Sequence, residues 1–169
     1  MIKLSKIIKW ILIIVLILAS IFGILWITIS SLIPPDKEKM EKYFQRDKND
    51  LTVIANYLSS LEFPFVTISK DNIKDGVIFT GAYTGFQKIT DEAILDTISK
   101  ILNNKKYKLI GKSHNTVYFQ KWSFAGADCG IATPLDEEKL PYVEFLIKSE
   151  PLSERGWYYY DADYETSRN

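Results

Sequence analysis

The sequence predicts an α+β fold consisting of an N-terminal transmembrane helix followed by a small domain with two helices packed on a mainly antiparallel sheet. Three observations carry this: an uncharged apolar run from Trp10 to Ile33, two later stretches with apolar residues at helical spacing, and a change to period-2 alternation from Tyr107 onward without regular β-α-β order. The predicted organisation is a basic tail over residues 1–9, a transmembrane helix over 10–33, a juxtamembrane helix over 34–62, and an α+β region over 63–169 that forms one domain with 34–62.

The run from Trp10 to Ile33 has 24 residues, of which 19 are apolar, the exceptions being Ser20, Gly23, Thr28, Ser30 and Ser31. As a helix it is about 36 Å long, against roughly 30 Å of hydrocarbon, so it spans a bilayer with some tilt. A cleavable signal peptide is the competing reading, since Lys3, Lys6 and Lys9 form a positive n-region. Its apolar core would be about 7 to 15 residues and be followed by a small-x-small site, which only Thr28 and Ser30 imitate. The expectation is an uncleaved, single-pass anchor in the cell membrane. Lysine and arginine counts on the two sides do not decide orientation, because Lys37, Lys39, Lys42, Arg46 and Lys48 lie just beyond the helix. A short basic tail ahead of a first apolar helix favours a cytoplasmic N-terminus and an extracytoplasmic carboxyl domain.

Pro34 and Pro35 end the membrane helix and Asp36 is placed to cap the next. Met40, Phe44, Leu51, Ile54, Leu58 and Leu61 keep helical spacing to about Leu61, with a break expected near Asp47–Asp50 where charge occupies the stripe. Short β-rich runs come next at Phe65–Ser69 and Val77–Thr80, joined by a turn over Lys70–Gly76. Thr90 is expected to cap a second helix with Ile94, Leu95, Ile98, Ile101 and Leu102 on one face, ending at Asn103 and Asn104. Tyr107–Lys112 and Thr116–Trp122 read as a hairpin around Ser113, His114 and Asn115, with Asn as the left-handed residue. Ile131–Thr133, an alternating Tyr142–Lys148 with Val143, Phe145 and Ile147 on one face, and Gly156–Tyr160 complete the strands.

Composition narrows the chemistry. Of the 21 basic residues three precede residue 36, and none of the 21 acidic ones does, which leaves the rest of the chain at net −3 and without a basic footprint for nucleic acid. One Cys excludes an internal disulfide framework, and one Cys with one His excludes a four-ligand Cys/His zinc site. The pairing left for nucleophilic catalysis is Cys129 with His114. Against it, His114 falls at a hairpin tip and Cys129 lies among small residues, Gly126-Ala127-Asp128-Cys129-Gly130, where Cys behaves as a buried hydrophobe. Asp161, Asp163 and Glu165 imitate the opening spacing of a calcium loop, but its Gly and distal Glu are missing, so a solvated acidic tail is preferred. Asp136, Glu137 and Glu138 read as an exposed acidic loop. No catalytic residue, metal ligand or cofactor is therefore assigned.

The aromatic run Trp157-Tyr158-Tyr159-Tyr160, with Tyr164 beyond it, is the most unusual feature. In a strand Trp157 and Tyr159 face one way and Tyr158 and Tyr160 the other, so one pair can complete the core while the other lines a surface. Burial of both pairs is the alternative. These five residues are the candidate binding residues.

Leu152, then Gly156-Trp157-Tyr158-Tyr159-Tyr160 and Asp163-Tyr164, coming after Asn115-Thr116-Val117-Tyr118-Phe119, resemble small single-pass membrane-anchored proteins of low-GC Gram-positive bacteria. That group carries no assigned activity, so the resemblance implies an anchor and an α+β domain and transfers no site. The expected function is a membrane-anchored interaction module outside the membrane. It would hold the bilayer through residues 10–33 and a protein or cell-envelope partner through its domain. The alternatives are a cell-envelope enzyme using Cys129 or acidic residues, and an immunity or accessory protein for a partner toxin.

Overall fold

The computed structural model describes residues 2–81, 84–136 and 138–164. The chain divides into two units, Met1–Pro34 and Pro35–Asn169.

The first unit is one helix, α1 (Ile2–Leu32). Its stretch Ile8–Trp26, 19 residues, has no buried part and is long and apolar enough to cross a membrane. The hydroxyls of Ser20 and Thr28 donate to the carbonyls of Leu16 and Ile24, at 2.8 and 2.9 Å. Both polar groups are thus satisfied within the helix, as a hydrocarbon environment requires.

The second unit is an eight-stranded antiparallel sheet with helices on one face. Helix α2 (Lys37–Ser60) starts at Asp36, whose carboxylate accepts from the Lys39 amide at 2.9 Å. The break expected near Asp47 does not occur. Asp47 sits on the buried stripe with Met40, Phe44, Leu51, Ile54 and Leu58, and partners from other elements satisfy its charge.

Strand β1 (Phe65–Ser69) leads into a one-turn helix α3 (Lys70–Lys74), where a simple turn was expected. The Ser69 and Asn72 side chains form a reciprocal capping box, which makes so short a helix viable. Strands β2 (Val77–Phe79) and β3 (Phe86–Lys88) come next, and the second of these has no counterpart among the expected strands. Helix α4 (Glu92–Ser99) is capped by Asp91, not Thr90: the Asp91 carboxylate accepts from the Ala93 and Ile94 amides at 2.9 and 3.1 Å. It continues as a π-helical turn over Lys100–Asn104.

Strands β4 (Leu109–Ser113) and β5 (Thr116–Phe124) form the expected hairpin, but its left-handed residue is His114, at φ 51°, rather than Asn115. Strands β6 (Ala127–Pro134), β7 (Leu146–Pro151) and β8 (Tyr158–Asp163) complete the sheet in the order β3-β2-β1-β4-β5-β6-β8-β7.

Two strand assignments need correction. Tyr142–Phe145 is not strand: Phe145 has φ 59°, the Leu146 amide returns to the Val143 carbonyl at 3.2 Å, and the register slips between Leu146 and Lys148. The slip breaks the alternation, so Val143 is buried while Phe145 and Ile147 are exposed. The last strand begins at Tyr158 and runs through Asp161 to Asp163, so those acids belong to the sheet and not to a solvated tail. Glu165 and Glu137 lie outside the described residues.

The main core fills the layer between helices and sheet. Phe44, Leu51, Ile54 and Leu58 of α2, with Ile98, Ile101 and Leu102, meet Val66, Ile68, Ile110, Val117, Phe119, Ile131 and Tyr159. Fully burying each such side chain stabilises the fold by about 1.5 to 3 kcal/mol relative to exposure, before conformational entropy is counted. A smaller cluster lies on the opposite face, made of Ala132, Val143, Tyr160 and Ala162 with Tyr118 and Leu146 against it.

Candidate functional site

Strand alternation sends Val117, Phe119, Cys129, Ile131 and Tyr159 toward the helices and Tyr118, Gln120, Asp128, Gly130 and Tyr160 to the other face. The helices leave this second face uncovered, and the segment Tyr142–Phe145 folds over one side of it. Between them lies a cleft of about 230 Å³. Phe65 and Thr67 of β1 and Leu109 of β4 line one end; Tyr118, Gln120 and Tyr160 line the middle; Asp128, Glu144 and Tyr164 line the other.

Two glycines shape its floor. Gly111 pairs with Tyr118 and Gly130 with Tyr160 across neighbouring strands. A Cβ at Gly111 would lie 2.7 Å from Tyr118 Cε1, and one at Gly130 would lie 2.8 Å from Tyr160 Cε1. The tyrosine rings therefore occupy the space a side chain would need, which keeps them close to the sheet. They meet edge to face, with centroids 6.3 Å apart and planes at 87°.

The charge in the cleft is negative. Asp128 is only 7% exposed and lies beside the Tyr164 hydroxyl. Burial first, then Glu144 and Asp128, raises the Tyr118 hydroxyl above its ordinary value, and burial with Asp128 pushes Tyr164 up to about 12. Lys112 also borders the cleft, yet it shares a face with Ile110 by alternation, and its ammonium donates to the Leu61 carbonyl at 2.6 Å.

The aromatic run is divided between the two faces. Trp157 precedes β8 and is 8% exposed, its ring 5.1 Å from Phe44 and 6.1 Å from Phe119. Tyr159 is buried in the same core. Tyr160, 1% exposed, belongs to the opposite cluster and lines the cleft, as does Tyr164, whose ring lies 4.6 Å from that of Phe145. Tyr158 is half-buried and shares the face of Tyr160 by alternation. Sequence reasoning missed Thr67, Tyr118, Gln120, Asp128 and Glu144. Glycine inside a predicted strand, which marks a close approach to its surface, was the available signal at Gly111.

Cys129 and His114 are not brought together. Cys129 is fully buried on the helix side, its thiol 3.8 Å from the Pro35 carbonyl, and burial with the nearby Asp161 and Asp128 pushes it up to about 12. His114 is exposed at the hairpin tip, edge-on to Phe65 at 4.7 Å and to Tyr142 at 5.9 Å. A thiol held so far above neutrality is not a thiolate nucleophile. Among the described residues no three His, Cys, Asp or Glu side chains are grouped so as to hold a metal ion. Asp136 accepts from the Glu138 amide at 3.1 Å and pairs with Lys139 at 3.0 Å, forming an exposed turn.

A second charged centre lies on the helix side. Arg46 grips the Asp47 carboxylate at 2.8 and 2.7 Å, Lys105 pairs with it at 3.1 Å, and the Tyr107 hydroxyl donates to it at 3.2 Å. Lys121 lies over the rings of Tyr43 and Tyr107, 4.5 and 4.0 Å from their centroids, and donates to the Lys105 carbonyl. These contacts join α2 to the turn after α4 and to β5, and they satisfy one another.

Compared with protein-family models, curated proteins and solved structures, the chain has no match.

Proposed function

We propose that this chain is a single-pass membrane protein presenting a binding module outside the cytoplasmic membrane, with the tyrosine-lined cleft on the helix-free sheet face as its binding site and without catalysis of its own. The observation that carries the reading is the cleft itself. A sheet face away from the helices holds three tyrosines, a nearly buried carboxylate and neutral polar groups around one concavity. Ligand sites commonly combine aromatic lining with a few placed polar groups in this way. The apolar helix α1 supplies the anchor, and the lysines at its start favour translocation of the carboxyl domain. The buried thiol and its separation from His114 favour binding over acyl-transfer chemistry.

Affinity capture of the tagged full-length protein from solubilised membranes tests this against a Gln120→Trp variant, which fills the cleft from a half-buried position. The expected result is a co-purifying component that the variant loses while retaining its fold. Identical capture by both proteins would move the binding surface elsewhere.

A further inference from the structure

We infer that the cleft receives a primary alkylammonium group, with its charge against Asp128 and Glu144. The inference rests on the cleft being the binding site and adds the chemistry of what binds there. It starts from a contrast between two buried carboxylates. Asp47, 1% exposed, is paired with Arg46 and Lys105 and accepts from Tyr107. Asp128, 7% exposed, has the Tyr164 hydroxyl, and among the described residues no basic side chain is paired with it. Burying a carboxylate is costly unless an opposite charge accompanies it, so the Asp128 end of the cleft is built for a cation.

Three further features agree. Glu144 adds a second negative charge on the same rim, and both carboxylates act on the Tyr118 hydroxyl. The partly exposed rings of Tyr118 and Tyr164 border the cleft, and tyrosine rings attract cations. The lysine that borders the cleft, Lys112, directs its ammonium to the far side of the sheet, where Leu61 accepts from it. A primary ammonium suits the site better than a quaternary one because it brings N–H donors to a carboxylate and to the Gln120 and Thr67 side chains. An alkyl chain then runs along the cleft toward Leu109 and Phe65.

The test is isothermal titration of full-length protein in phosphatidylcholine nanodiscs, with empty nanodiscs as the blank. The probes are n-pentylamine and Nα-acetyl-lysine methylamide, with the Nε-acetylated lysine analogue as a neutral control. Saturable binding of an amine, no binding of the control, and loss of about tenfold or more in affinity on Asp128→Asn support the inference. The exposed Glu144→Gln change, which leaves the fold intact, should weaken binding about threefold. Binding of both amines identifies lysine side chains of partners as a source, whereas pentylamine alone identifies free amines. Absent binding, or binding indifferent to Glu144→Gln and Asp128→Asn, overturns the inference. If Gln120→Trp still abolishes partner capture in that event, the cleft remains the binding site and only its ligand chemistry was misread.

Discussion

Tyr160 occupies the space that a side chain at Gly130 would need: the two are paired across β6 and β8, and a Cβ on the glycine would sit 2.8 Å from Tyr160 Cε1 and against the Phe119 carbonyl. Tyr118 and Gly111 repeat the arrangement between β4 and β5. Aromatic rings over strand glycines thus set the floor of the cleft. Gly130→Ala should destabilise the protein by about 1 to 3 kcal/mol, the usual cost of overpacking, although alanine has the better backbone propensity. Urea unfolding of the two proteins measures it; equal midpoints would mean that the ring and carbonyl yield freely.

The same pairing decides the two faces of the aromatic run. Replacement of Tyr158 and Tyr160 together is the natural test of an outward-facing pair, but Tyr160 is only 1% exposed. Tyr160→Ser should therefore cost several kcal/mol, on the scale of about 3 to 5 for a buried aromatic, and Trp157→Ala should cost a similar amount from the other core. Tyr158→Ser should cost much less than either. A mild effect of Tyr160→Ser would place its ring in solvent.

Asp47 links stability to acid. Burial alone would raise its pKa, but hydrogen bonds from Arg46 and Lys105, together with their charges, hold it below the ordinary carboxylate value. Such a depressed group stabilises the fold above its unfolded pKa of about 3.9, and that contribution disappears as pH falls through the folded value. Asp47→Asn should cost about 1.5 to 3 kcal/mol at neutral pH, because it removes the charge that Lys105 and the half-exposed Arg46 are paired with. The gap between variant and wild type should shrink on acidification. A constant gap down to acid pH would remove the charge from the explanation.

Lys121 predicts a trend of the same sign at alkaline pH. Burial, followed by the repulsion of Arg46, lowers its pKa to about 8. Unfolded lysine titrates at about 10.4, so between these values the unfolded chain binds more protons and stability rises with pH. With Cys129→Ser in both proteins, so that the raised thiol does not titrate in the opposite sense, Lys121→Met should flatten that rise, as measured by thermal unfolding between pH 8 and about 9.5, below the ordinary tyrosine range. A rise that persists in the variant would assign it to another group.

For the anchor, full-length protein should remain with membranes through carbonate washing, and protease added to intact protoplasts should degrade the carboxyl domain. Recovery of a soluble, shortened chain would identify α1 as a cleaved signal. Protection until lysis would put the domain in the cytoplasm.

The α+β class was legible in the sequence because α2, α4 and most strands declare themselves by period. Leu51, Ile54 and Leu58 or Val117 and Phe119 need only local spacing to be assigned to a buried face. What stayed hidden depended on pairing between distant segments. Asp47 looked like an interruption of α2 because its partners Lys105 and Tyr107 lie far along the chain. The Val143, Phe145 and Ile147 alternation failed through a left-handed Phe145 and a register slip, which hydropathy does not encode. The candidate site was half legible. Tyr160 and Tyr164 stood out in an aromatic run, whereas Tyr118, Gln120 and Asp128 join them only through the register of β5, β6 and β8.

Binding through the helix-free face can be read by photo-crosslinking in living cells. A photoreactive amino acid replaces Gln120 in the cleft of the full-length protein, and in a parallel strain replaces Asn49, exposed on α2. A discrete crosslinked product is expected from position 120 and none of that size from position 49. The same product from position 49, with none from position 120, would contradict it and place the binding surface on the helices.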